Sequence, residues 1–141
     1  MNSVIISSVG IGFGRKGCSV YSVAGWKSDT WALHGDDGGF FHGSGFPRDH
    51  SENTCRYSNG DVIGVCIDVR AGMAFYTKNG KVIETGFEDI RGRLFPMACL
   101  GSGAQIKANF GADLNAVPFQ YPEGRDRDYS VVTKLIGDMP F

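Results

Sequence analysis

Three groups of residues in this chain have types and spacings that could do chemistry. Gly12-Phe13-Gly14-Arg15-Lys16-Gly17 has the spacing of a dinucleotide-binding glycine loop. Such a loop works only when a helix follows at once, with its N-terminus aimed at the pyrophosphate. Here Cys18-Ser19-Val20-Tyr21-Ser22-Val23 follows and runs into Gly25, a polar and β-branched stretch that makes a poor helix. A kinase glycine loop is excluded too, since no lysine strand, catalytic loop or Asp-Phe-Gly comes after it. The expectation is the end of a glycine-tolerant strand, with no nucleotide and no other cofactor.

His34, Asp36, Asp37 and His42 are potential metal ligands by type. Their spacing matches no closed metal site and no EF-hand loop. They read as turn carboxylates and structural histidines, so no metal is expected. Serines, histidines and acids occur throughout, but none stands in a nucleophile elbow or similar setting, and no catalytic residue is assigned. The chain is expected not to be an enzyme.

Aromatic residues are the remaining candidates, because they anchor protein interfaces. Trp31 lies in the apolar run Trp31-Ala32-Leu33-His34 and reads as core. Trp26 follows Gly25 in a loop and suits either role.

The elements that must position these residues are short and β-like. Of 141 residues 21 are glycine, against a usual share of about 7%, and they punctuate apolar runs as tight turns between strands do. Val4 to Phe13 reads as a strand. From Asp61 onward Ile63, Val65, Ile67 and Val69 alternate with Gly64, Cys66 and Asp68, the period of a strand with two distinct faces. Asn79-Gly80 between Met73–Lys78 and Lys81–Ile83 is a strong hairpin signal. A two-residue turn there places Thr77 opposite Val82, Tyr76 opposite Ile83 and Lys78 opposite Lys81, and the two like charges call for a solvated tip. Leu94 to Leu100 and Ala104 to Phe110 read as an antiparallel pair joined by Gly101-Ser102-Gly103, with Ile106, Ala108 and Phe110 inward. Phe46 to Ser58 reads as a loop. After the charged spacer Glu123 to Asp128, a short helix is expected, with Val131, Val132, Leu135 and Ile136 on its apolar side and Gly137 as its stop. The sum is an all-β, antiparallel two-sheet sandwich over 1–121, with a spacer and tail over 122–141.

The formal net charge is −1, and no basic stripe is visible in the linear sequence, which argues against nucleic acid and against an anionic membrane surface. No apolar run is long enough to span a bilayer. The first residues, Met1-Asn2-Ser3-Val4-Ile5-Ile6, do not read as a signal peptide. Cys18, Cys55, Cys66 and Cys99 lack metal-site spacing, and they read as free thiols in a reducing compartment. The expected location is cytoplasmic or nuclear.

Between about Val9 and Phe110 the order of pieces resembles a SPRY domain. The pieces are Gly10-Ile11-Gly12-Phe13, Gly25-Trp26, Trp31-Ala32-Leu33-His34-Gly35-Asp36-Asp37-Gly38, Gly60-Asp61-Val62-Ile63-Gly64, Phe75-Tyr76-Thr77-Lys78-Asn79-Gly80, Leu94-Phe95-Pro96 and Ala108-Asn109-Phe110-Gly111. The His-Gly-Asp-Asp-Gly and Tyr-Thr-Lys-Asn-Gly pieces most resemble the Ran-binding protein M type, whose members are scaffold subunits of a ubiquitin-ligase assembly. The resemblance implies a bent β-sandwich whose loops bind short segments of other proteins, without catalysis. It also implies strands ahead of the glycine-rich one, so the sandwich is expected to be N-terminally incomplete, with an exposed sheet edge open to self-association. The family's downstream helical assembly regions are not visible either.

In SPRY modules that bind short peptides, a loop tyrosine packs on the ligand, and Tyr21 has a comparable position, a buried tyrosine being the ordinary alternative. Those modules also offer a tryptophan before the last strand, where this chain has Leu100-Gly101-Ser102-Gly103. The partner-binding face is expected to hold Tyr21, Trp26, Lys16, Ser102 and Gly103 at one end of the sandwich. The rival readings are a carbohydrate-binding sandwich and a non-functional truncated copy.

Overall fold

The alternation from Asp61 onward does become a strand, β4 (Val62–Asp68), with Ile63, Val65 and Ile67 buried on one face, while Val69 falls in the turn after it and is exposed. A computed structural model describes residues 9–48, 56–119 and 130–137, the last segment through its backbone. Around β4 stand β1 (Val9–Arg15), β2 (Thr30–His34), β3 (Phe40–Phe41), β5 (Met73–Lys78), β6 (Lys81–Phe87), β7 (Leu94–Leu100), β8 (Ile106–Asn109) and β9 (Ser130–Gly137). One sheet runs β3-β2-β1-β7 and the other β6-β5-β4-β9-β8, with antiparallel pairing throughout. This is the expected two-sheet sandwich.

The core forms where the period-two faces meet. Ile11, Phe13, Trp31, Leu33 and Phe40 of the first sheet pack against Ile63, Val65, Ile67, Ala74, Tyr76 and Phe87 of the second. Tyr76 is buried, yet its hydroxyl donates to the Ile11 carbonyl at 2.9 Å, which satisfies the polar tip and ties the two sheets. Tyr57 shares its hydroxyl proton between the Val9 and Leu33 carbonyls, both at 2.7 Å.

The hairpin register is the one the Asn-Gly pair predicts: Thr77 faces Val82, Tyr76 faces Ile83 and Lys78 faces Lys81. Asn79 and Gly80 have φ of 52 and 84, as a type I′ turn demands. Lys78 is drawn away from Lys81, because its Nζ donates to the Arg56 carbonyl at 2.7 Å and lies 3.7 Å from Asp61.

Three expectations are corrected. Residues 130–137 form strand β9 where the sequence suggests a short helix, so the sandwich extends beyond residue 121. Val131, Val132, Thr133 and Ile136 are β-branched, and β4 and β8 each present a backbone edge that β9 pairs with. Secondly, β7 and β8 do not pair with one another. Gly101–Gly103 carries the chain from one sheet to the other, so β7 pairs with β1 and β8 with β9. Thirdly, Phe110 lies past the end of β8 and is 62% exposed, while Ile106 and Ala108 do pack on the core. Val4 to Ser8, Cys55 and the spacer 123–128 lie outside the described residues.

Cys66 is buried, whereas Cys99 reaches the surface. Burial pushes the Cys66 thiol from 9.0 up to about 11, and burial also raises Tyr57 and Tyr76. All three shifts have one sign. Above about pH 9 the unfolded chain loses protons that the folded chain keeps, so stability falls as pH rises. For Cys66 alone the loss reaches about 2 kcal/mol by pH 11. Urea unfolding between pH 8 and about 11 checks this, with Cys66→Ala expected to flatten the slope.

Candidate protein-interaction surface

Along β1 the inward Ile11 and Phe13 alternate with Gly10, Gly12 and Gly14, so the outer face of the first sheet carries a column without side chains. Residues 16–29 return across that face. Ala24 is fully buried there, and its carbonyl accepts a hydrogen bond from His34 Nε2 at 2.8 Å. The Gly25 N–H donates to Thr30 Oγ1 at 2.9 Å. Gly25 itself needs to be glycine: its φ is +90, and a Cβ would come within 2.6 Å of Phe41.

Pinning residues 24–25 leaves the preceding loop standing out. Tyr21 is 98% exposed and Val20 78% exposed. The exposure of Tyr21 removes the alternative of a buried tyrosine. Val20 and Ser22 form one wall of a hollow of about 460 Å³, with Pro96 to Leu100 of β7 as the other. A second hollow of about 320 Å³ is lined by Trp26, His34, Asp36, Asp37 and Phe41, and Cys99 lines both. The two hollows thus adjoin at Cys99, on a strand whose outer edge has no pairing strand among the described residues. Pro96 lacks an N–H, as an edge strand tolerates.

The five residues singled out from sequence are not brought to one end. Tyr21 adjoins the first hollow, and Trp26, at 45% exposure, lines the second. Ser102 and Gly103 follow Leu100, whose strand partner is Val9. Lys16 lies at the opposite end of β7, its N–H donating to the Arg93 carbonyl at 2.9 Å. The seven residues of β7 separate the two ends by roughly 20 Å. A β-strand edge set this spacing, and no local motif announced it. Sequence reasoning also missed Cys99 as the shared wall of the two hollows.

The other sequence candidates have structural work. Gly12 to Arg15 stay in β1, with turn and loop after them where a dinucleotide site needs a helix. His42 Nδ1 lies 3.0 Å from the Thr30 carbonyl, its ring stacked on Trp31, and Asp37 Oδ1 accepts from the Gly39 N–H at 2.7 Å. Among the described residues no three His, Cys, Asp or Glu converge as metal ligands. No helix of the described residues is long and apolar enough to cross a membrane.

The antiparallel two-sheet sandwich agrees with the family comparison, in which the SPRY domain matches residues 5–113. The chain belongs to the SPRY domain family. SPRY domains are a protein–protein interaction fold and are non-enzymatic. Human Ran-binding protein 9 is 35% identical over 104 residues, covering 73% of this chain and 14% of that protein. The Drosophila melanogaster Ran-binding proteins 9/10 homolog is 32% identical over 114 residues, 80% of this chain and 11% of that protein. The Arabidopsis thaliana Ran-binding protein M homolog is 28% identical over 128 residues, 90% of this chain and 27% of that protein. The chain therefore spans a small part of the curated relatives it matches.

Proposed function

We propose that this SPRY domain holds an extended segment of a partner protein against the outer face of its first sheet, between Tyr21 and Trp26. The observation that carries the reading is the full exposure of Tyr21 beside two hollows that meet at Cys99. Tyr21 adds nothing to the core from that position, and an exposed aromatic beside a hollow supplies contact area to a ligand at low entropic cost. Backbone groups at the edge of β7 and the Asp36-Asp37 turn supply polar contacts around it. No reaction is performed. The likeness to Ran-binding proteins supports a scaffold or substrate-recruiting role linked to a ubiquitin-ligase assembly, acting in the cytoplasm or nucleus.

Affinity purification from native extract, wild type beside Tyr21→Ala, tests the reading. A specific partner retained by wild type should fall about tenfold or more in the variant, the loss of one interface anchor. Stability should change by less than about 0.5 kcal/mol, because Tyr21 packs on nothing. Equal retention by both chains would remove Tyr21 from the site, and recovery of chaperones alone would remove the function.

A further inference from the structure

Four cations meet where β1 ends and β7 begins: Arg15, Lys16, Arg91 and Arg93. Backbone contacts bring them together, since the Lys16 N–H donates to the Arg93 carbonyl at 2.9 Å and Arg15 Nε donates to the Arg91 carbonyl at 2.8 Å. Lys16, Arg91 and Arg93 are exposed and Arg15 is half-buried. The Arg15 guanidinium lies over the Trp31 ring at 5.1 Å and that of Arg93 over Phe95 at 5.5 Å. Rings that hold a guanidinium by its face leave its in-plane donors available.

Among the described residues no carboxylate lies within 4 Å of any of the four. Asp29, whose backbone carbonyl accepts the Arg15 N–H, and Glu88 and Asp89, on the loop leading to Arg91, do not close on them. Among the described residues the side chains of Lys16 and Arg91 donate no hydrogen bond. Gathering like charges without a counter-ion costs stability and does nothing for the fold. A chain of net charge −1 nonetheless concentrates four cations at one tip.

We propose that this basic tip binds an acidic stretch of the partner's segment, so that the recognised motif carries Asp or Glu where the segment passes Lys16 and Arg93. The inference rests on the binding-module reading and adds the chemistry of the partner. Nucleic acid fits less well. It needs cations along successive phosphates, and β7, running on from the tip, has none between Leu94 and Leu100.

The test is selection from a displayed random library of peptides about twelve residues long, on the immobilised full chain and on a Lys16→Glu/Arg91→Glu variant of unchanged melting temperature. Peptides selected by wild type should be rich in Asp and Glu. Their affinity by fluorescence anisotropy should drop about tenfold in the variant at low salt, and by less at high salt. The neutral pair Lys16→Gln/Arg91→Gln should lose about threefold, so that the loss follows charge. Selected peptides without acidic bias, or bound equally by all three chains, would overturn the acidic-partner inference and leave the binding module standing. No selected peptide on any chain would bring down both. Tighter binding of a single-stranded oligonucleotide than of any selected peptide would also overturn it.

Discussion

Replacing Trp31 by alanine is expected to destabilise the fold by about 3–5 kcal/mol, the range for removing a large aromatic from a core that cannot collapse around the void. Trp31 is 1% exposed and lies between two rings, Phe13 at 5.1 Å and His42 at 4.6 Å, both stacked. Phe13 in turn meets Phe87 of the other sheet edge-on at 6.1 Å, so the void would open at the seam of the sandwich. Arg15 would lose the ring beneath its guanidinium as well. With a total stability on the order of 5–15 kcal/mol, such a loss leaves a marginal protein. The control is Trp26→Ala, which removes a half-exposed ring and should cost about 1 kcal/mol or less. Chemical denaturation of the three proteins checks the difference, and similar midpoints for Trp31→Ala and Trp26→Ala would refute the placement of the core.

Gly12→Ala is expected to destabilise by about 3 kcal/mol, although alanine adds a single methyl group. A Cβ at Gly12 would lie 1.8 Å from the Trp31 carbonyl oxygen and 2.8 Å from the Ala32 Cα. Both atoms belong to the backbone of β2, which pairs with β1 through Gly12↔Ala32 and Phe13↔Trp31. Neither can rotate away, so the two strands must separate locally and the Phe13–Trp31 stack moves with them. Gly17→Ala makes the contrast. Its φ is +85, but no atom lies within 4 Å of a Cβ there, so only backbone strain of about 1 kcal/mol applies. Melting temperatures should order wild type, Gly17→Ala, Gly12→Ala, with the last about 10 °C below the first. A Gly12→Ala protein as stable as wild type would show that β1 and β2 are not paired in this register.

Much of the site was legible only in part, for reasons visible in particular residues. Tyr21 stands out only through the resemblance to peptide-binding SPRY modules, and its exposure depends on Ala24 and Gly25 being pinned to His34, Thr30 and Phe41. The second hollow joins Trp26 to Asp36 and Asp37, which lie about ten residues further along the chain, and to Cys99, which lies in another part of it. No spacing rule connects such positions. From sequence, Lys16 is expected on one face with Ser102 and Gly103. The antiparallel run of β7 beside β1 sends them to opposite ends.

By itself the sequence determined the β class, the Asn79-Gly80 hairpin with its register, the two-faced period of β4 and the core role of Trp31. Each is carried by residues within a few positions of one another, through side-chain period or the φ a turn requires. Only the tertiary structure decided that β7 joins β1, that 130–137 is a strand between β4 and β8, and that Arg15 and Lys16 meet Arg91 and Arg93. Those outcomes depend on which backbone edges and faces remain to be satisfied once the local elements exist. Free energy summed over distant residues settles that choice, and no local pattern encodes it.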